Sequence, residues 1–206
     1  ADAYYNLGLA YGKKGDYEKE INYYKQAIAV NPEYAKAYYN LGAAYHEKGD
    51  YETAIYYYKQ AIAVNPEYAD AYYNLGLAYG KKGDYETAIY YLKQAIVINP
   101  EDAKAYSILG TAYGRKGDYE TAIYYYKQAI VINPEYAKAY YFLGVAYGIK
   151  GDYETAIYYC KTAIIINPED AEAYYFLGLS YGLIGDDNTA KYYKEKAYKL
   201  DPGLRK

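Results

Sequence analysis

Apolar and small residues recur along the chain at helical spacings. In residues 35–48, Tyr38, Leu41, Gly42 and Tyr45 are spaced i, i+3, i+4 and i+7, which places them on one face of an α-helix. The pattern predicts an amphipathic helix whose packing face combines aromatic rings with a glycine.

A second helix is predicted to follow almost at once. Gly49 supplies a left-handed helix end and Asp50 can cap the next helix. Asn65 and Pro66 then end the second helix, because proline cannot continue a helix and restricts the residue before it. Its apolar face, within residues 51–64, consists of Tyr51, Ala54, Ile55, Tyr58, Ala61 and Ile62. The unit is therefore an antiparallel helix pair.

This 34-residue unit is written six times without insertion or deletion. Copies two and three differ at only 8 positions. Such repeats bury their apolar faces against their neighbours, which predicts an all-α solenoid of stacked helix hairpins spanning residues 1–206 as one domain. The repeats are 1–34, 35–68, 69–102, 103–136, 137–170 and 171–204, with a tail at 205–206.

The pattern Tyr38-x2-Leu41-Gly42-x2-Tyr45, followed by Ala54-x3-Tyr58, Ala61 and Pro66, resembles the tetratricopeptide repeat. The resemblance covers the whole chain. It implies a right-handed superhelix and a non-catalytic protein–protein interaction scaffold, which binds an extended, partly apolar peptide segment along its concave groove.

In this family a second stripe of the first helix lines the concave surface, and the resemblance therefore indicates the candidate ligand-binding residues. In the first three repeats asparagine and tyrosine predominate, and an asparagine amide can satisfy a peptide backbone. Later repeats become apolar, which suggests a two-part ligand. The candidates are Tyr5, Asn6, Tyr39, Asn40, Tyr73, Asn74, Ile108, Arg115, Tyr141, Phe142, Tyr175 and Phe176.

Other interpretations stay open at this stage. The tyrosines and asparagines are also explained as residues replicated with the repeat. Glycines such as Gly114 and Gly148, near the ends of the first helices, either widen the groove floor, fray into the turn, or leave room for a neighbouring ring. The main alternative function is a structural, self-assembling module, natural or designed, that stacks head to tail without a natural small ligand.

Composition excludes several other classes of protein. The 23 Lys and Arg and 26 Asp and Glu are interspersed, so the chain lacks the basic face that nucleic acid binding requires. No apolar run approaches the roughly 20 residues of a membrane span. One His and one Cys do not form a catalytic or metal constellation, so we expect no enzyme activity and no cofactor. A cytoplasmic location is the expectation.

A few residues depart from the repeat. Glu20 occupies a small-residue position, filled by Ala54 in the next copy, and must be paired or reach solvent. His46 is expected to be solvated in the groove, and Cys160 to be a small core residue. The surplus of tyrosine, 40 Tyr beside 2 Phe, adds hydroxyl groups that need partners.

Overall fold

A computed structural model describes residues 1–205. Within that range the chain forms twelve α-helices in tandem pairs and no β-strand, so the prediction of an all-α fold of helix hairpins is confirmed. None of these helices is long and apolar enough to cross a membrane. The helices are Asp2–Gly12 (α1), Tyr17–Val30 (α2), Ala35–Glu47 (α3), Tyr51–Val64 (α4), Ala69–Lys81 (α5), Tyr85–Ile98 (α6), Ala103–Arg115 (α7), Tyr119–Ile132 (α8), Ala137–Ile149 (α9), Tyr153–Ile166 (α10), Ala171–Leu183 (α11) and Asp187–Leu200 (α12).

The turns form as the sequence predicts. Gly49 has a φ of +78°, the left-handed conformation that closes α3. Asp50 caps α4, because its Oδ1 accepts a hydrogen bond of 3.1 Å from the backbone N–H of Thr53. At the other end of α4, Asn65 is extended and its side chain accepts a hydrogen bond from the N–H of Glu67.

The helices group into two compact units, residues 1–100 and residues 101–205. In each unit the second helix of a hairpin packs on its own partner and on the first helix of the next hairpin. Thus α4 contacts α3 and α5, and α8 contacts α7 and α9. The first helices also contact one another, as α7 does with α9. A single solenoid over residues 1–206 stays a prediction, and Lys206 lies outside the described residues.

The first four hairpins close through a tyrosine or leucine side chain that lies on the bare backbone of a glycine. A Cβ at Gly110 would lie 2.8 Å from Cε1 of Tyr126 and 3.0 Å from the carbonyl oxygen of Ala122. A side chain at position 110 of α7 therefore does not fit between α7 and α8. The same arrangement holds Tyr58 on Gly42 in the first unit.

Pairs of tyrosines and lysines join consecutive hairpins at the surface. The ring of Tyr45 stacks on Tyr57 of its own hairpin, with centroids 5.6 Å apart. The ammonium of Lys25, from the preceding hairpin, lies 5.7 Å from the Tyr45 centroid. A hydrogen bond with Tyr45 raises the pKa of Lys25. Lys127 and Tyr147 repeat this contact in the second unit, so the surplus hydroxyl groups find partners.

The two terminal helices differ in polarity. Leu7 on α1 is 41% exposed, whereas its counterpart Leu41 is fully buried. On α12, Lys191 and Lys194 occupy the positions where other second helices carry apolar packing residues. A short 3₁₀ helix, Pro202–Arg205, then follows, although the sequence indicated no further helix. Its Arg205 belongs to the predicted tail, yet it lies over the Tyr198 ring and pairs with Glu195 at 2.8 Å.

Glu20 is half-buried and paired, as its position requires. Its carboxyl lies beside the bare backbone of Gly12, where a Cβ would be 2.6 Å from Oε1. Burial raises the pKa of Glu20, while a hydrogen bond from the Tyr24 hydroxyl acts in the opposite direction. The negative charge is therefore tolerated at this position at some cost in stability.

Two glycines of α7 are expected to respond oppositely to alanine. Gly110→Ala should lower the free energy of unfolding by about 1–3 kcal/mol, because the methyl group overlaps Tyr126 and a backbone carbonyl. Gly114→Ala should raise it by about 0.5–1 kcal/mol, since the new Cβ meets Ala122 only at 3.8 Å. Urea unfolding of both variants measures the difference, and changes of the same sign would contradict this packing.

Glu20→Ala should stabilise the chain at neutral pH, by a typical single-site amount on the order of 1 kcal/mol. A folded-state pKa above the unfolded value means that Glu20 favours folding below the unfolded pKa, and that this contribution is lost as pH rises through the folded pKa. The advantage of the variant should therefore shrink towards about pH 4. Glu18→Ala, an exposed change on the same helix, is the control for thermal unfolding at both pH values.

Candidate functional site

The candidate site lies on the first helices of the hairpins, which we call the first-helix face. In the first unit this face carries a ladder of tyrosine and asparagine. The amide Nδ2 of Asn40 donates to the hydroxyl of Tyr5, and that of Asn74 donates to Tyr39, each at 2.8 Å. Each bond joins two consecutive hairpins. The ladder therefore has a structural role whatever else it binds.

The asparagines differ in what they can offer a ligand. Nδ2 of Asn74 also donates to the carbonyl oxygen of Asp70 at 3.1 Å. Both amide hydrogens of Asn74 are thus engaged, and Oδ1, an acceptor, is the atom through which it would contact a peptide N–H. Asn6 is exposed, whereas Asn40 and Tyr73 are half-buried.

In the second unit the ladder is replaced by aromatic packing. Ser107 takes the tyrosine position and is fully buried, and Ile108 takes the asparagine position and is half-buried. Phe142 stacks on Tyr126, with centroids 5.5 Å apart and ring planes at 19°. Tyr141 meets Phe176 edge to face at 6.5 Å. Tyr175, also half-buried, lies 6.0 Å from Tyr198.

A cleft of about 340 Å³ opens on the first-helix face of the second unit, between α7 and α9. This volume lies at the lower end of the range for small-ligand sites. Gly114, Ala122 and Ala146 are the small residues of its lining. The other lining residues are Thr111, Arg115, Tyr119, Tyr126, Tyr141, Phe142, Val145 and Ile149.

Two of the polar groups that line this cleft are held in place by hydrogen bonds. The Tyr126 hydroxyl donates to Oγ1 of Thr111 at 3.2 Å, which in turn donates to the carbonyl oxygen of Ser107 at 3.0 Å. Burial raises the pKa of Tyr126 to about 12, so the phenol is neutral at physiological pH. The exposed Arg115 contributes a positive charge.

The corresponding space is occupied in three other hairpins, whereas a Cβ at Gly80 or at Gly182 would meet only an alanine methyl group among the described residues, at 4.0 and 3.7 Å. In the first hairpin the Glu20 carboxyl lies over Gly12, and in the fifth the Phe176 ring lies over Gly148, where a Cβ would be 2.8 Å from Cζ. In the second hairpin His46 stands in place of the glycine. Two of the three explanations for these glycines therefore apply, each to a different residue. Gly148 leaves room for a neighbouring ring, and Gly114 widens the surface of the first-helix face.

The prediction that His46 is solvated is wrong. Its Nε2 is buried and has no hydrogen-bond partner among the described residues. The ring faces Tyr51 at a centroid distance of 5.1 Å. Burial lowers the pKa of His46, so the neutral imidazole is favoured. The periodicity of α3 does not indicate this, because the Tyr51 ring that faces His46 belongs to the following helix.

Cys160 is buried in the core, as predicted. Burial raises the pKa of its thiol to about 12, which suppresses the reactive thiolate. Its small side chain lies against Gly144, in the position that Tyr126 holds against Gly110.

Sequence reasoning named four residues of the cleft, which are Gly114, Arg115, Tyr141 and Phe142, but it did not predict the cleft itself. Thr111, Tyr119 and Val145 were missed. The available signal was the combination of Gly114 on α7 with a large ring at position 126 on α8 of the same hairpin.

Tandem hairpins with this packing define a class, the helical-repeat proteins. Tetratricopeptide repeat models match residues 5–63, 69–102, 91–124, 137–170 and 171–204, and a TPR repeat model matches residues 44–83 and 110–148. The chain belongs to the tetratricopeptide repeat family. The resemblance seen in the sequence is therefore confirmed.

Solved structures agree with this assignment. A crystal structure of MamA is 33% identical, with a TM-score of 0.70, over 80% of this chain and 96% of the MamA chain. PilF of Pseudomonas aeruginosa shares the fold at 22% identity and a TM-score of 0.84, over 98% and 92% of the two chains. YrrB, described as a TPR protein with an unusual peptide-binding site, is 24% identical over 87% and 92%, with a TM-score of 0.68. No curated protein matches the chain.

The tyrosine–asparagine ladder makes a testable contribution to stability. Tyr39→Phe should lower the free energy of unfolding by about 0.5–1.5 kcal/mol, because the half-buried Asn74 amide loses its acceptor. Tyr141→Phe is the matched control, since its neighbour at the corresponding position is Phe176, whose ring offers no amide. Equal losses in urea unfolding for the two variants would show that the hydrogen bond contributes nothing.

Proposed function

We propose that the chain is a protein-binding scaffold whose first-helix face binds an extended segment of another protein. The observation that carries the proposal is the cleft between α7 and α9, which combines apolar walls, an exposed cation and fixed hydroxyl groups. Such a mixture is typical of sites that bind a peptide side chain and orient it. The description of YrrB as a TPR protein with a peptide-binding site supports the proposal by analogy.

The apolar character of this face continues beyond the cleft. Ile149 at the end of α9 is 53% exposed and Leu183 at the end of α11 is 62% exposed. These are adjacent first helices, and α9 and α11 contact each other. A segment bound in the cleft would therefore meet a further apolar surface on the next hairpin. This supports a ligand whose part on the second unit is apolar.

The second helices expose apolar residues as well. Tyr124, Val131, Tyr158 and Ile165 are exposed on α8 and α10. These four residues lie outside the lining of the cleft between α7 and α9. They serve as controls for the proposal.

Head-to-tail self-association is the second candidate, favoured by the exposed Leu7 on α1. A stacked copy would have to place Lys191 and Lys194 of α12 near this apolar face, and burying ammonium groups against leucine is costly. Peptide binding by the first-helix face is therefore the function that we propose first. Sedimentation over a concentration series separates the two functions: assembly that grows without limit supports stacking.

Peptide selection tests the proposed groove. Peptides are selected from a random displayed library, and the best binder is titrated against Ile149→Ser and its matched control Ile165→Ser, both exposed isoleucines of the second unit. Ile149→Ser should weaken binding by about 1 kcal/mol through lost apolar burial, and Ile165→Ser should leave it unchanged. A larger loss in Ile165→Ser would move the interaction to the second helices and contradict the proposal.

A further inference from the structure

The cleft over Gly114 has the location that an aromatic ring occupies in the next hairpin. Over Gly148 the corresponding space is filled by Phe176, whose Cζ and Cε1 lie 2.8 and 3.0 Å from the position of a Cβ on that glycine. Over Gly114 the nearest atoms to such a Cβ are the methyl group of Ala122 at 3.8 Å and the hydroxyl of Tyr126 at 3.9 Å. The structure thus shows both the occupied and the open form of one site.

A single substitution in the core accounts for the difference. Phe142 is the counterpart of Phe176, but it is stacked on the ring of Tyr126, which lies on Gly110. In the next hairpin Tyr126 is replaced by Cys160, which has no ring for Phe176 to stack on. Phe176 therefore turns over Gly148, while Phe142 stays against Tyr126 and the space over Gly114 remains open.

The charge at the cleft indicates what accompanies the ring. Lys150, close to the end of α9, is paired with Glu120 at 3.0 Å. Arg115 is exposed and lines the cleft, and its guanidinium is suited to bind a carboxylate through two parallel hydrogen bonds. A ligand that places an acidic group beside an aromatic ring would satisfy both features.

We propose that the cleft over Gly114 is an anchor site for one aromatic side chain of an extended peptide, with an adjacent Asp or Glu bound by Arg115. The partner is then a protein segment that pairs an aromatic residue with an acidic one. This inference rests on the proposed function, because it assigns a ligand class to part of the first-helix face.

Defined peptides test the anchor directly. The probe is a capped peptide of sequence Gly-Ser-Phe-Glu-Ser-Gly that carries a fluorinated phenylalanine ring, and binding is followed by fluorine NMR. A peptide with Ala in place of Phe carries no label and is measured as a competitor, as is one with Lys in place of Glu. The Ala peptide should compete about tenfold less well or worse, the loss typical of an aromatic anchor.

Two variants of the protein close the cleft in different ways. Gly114→Leu fills it from the floor, and Tyr126→Cys reproduces the next hairpin, so that Phe142 can turn over Gly114. Both should lose binding of the Phe-Glu peptide while circular dichroism stays helical. Gly182→Leu, the same change in the last hairpin, is the matched control and should retain binding. Arg115→Gln should abolish the preference for the Glu peptide over the Lys peptide.

Three results would overturn the anchor. They are equal competition by the Ala peptide, unchanged binding by folded Gly114→Leu or Tyr126→Cys, and no binding of the Phe-Glu peptide to the unmodified chain. Peptides selected from the library that still respond to Ile149→Ser would then keep the proposed function intact. If Ile149→Ser also had no effect on the library peptides, both the anchor site and the proposed function would be wrong.

Discussion

The fold depends on the close approach of two helices at a glycine. In the fourth hairpin the Tyr126 ring lies directly on the backbone of Gly110, and the carbonyl of Ala122 is 3.0 Å from where a Cβ would stand. No other residue type fits there without moving a helix. Because each second helix also packs on the next first helix, this contact fixes the spacing of successive hairpins within a unit.

The same contact decides what the first-helix face can bind. The first, second, fourth and fifth hairpins are each followed by another hairpin of the same unit. The space beside the first helix is filled by Glu20 in the first of these hairpins, by His46 in the second and by Phe176 in the fifth. In the fourth hairpin Tyr126 holds Phe142 away and the space is open. A difference in core packing is thus converted into a difference in surface chemistry, while the backbone of the repeat stays the same.

Much of the fold was predictable because its determinants are local. The breaks at Gly49-Asp50 and Asn65-Pro66 place the ends of α3 and α4 to within a residue, since turn chemistry needs no tertiary information. The residues of the cleft were only partly predictable. The buried Nε2 of His46 and the turn of Phe176 over Gly148 depend on tertiary contacts, which the pattern of a single helix does not contain. Near-identical repeats also hide the substitution of Cys160 for Tyr126, which removes a ring from one of two neighbouring sites.

A crystal structure of the chain with the Phe-Glu peptide shows directly whether the cleft binds an aromatic side chain. We expect the peptide's phenyl ring over Gly114, in the relation that Phe176 has to Gly148, with the glutamate carboxylate on Arg115. A peptide bound instead along Tyr124 and Val131 of α8, with the cleft closed by Phe142, would contradict this expectation.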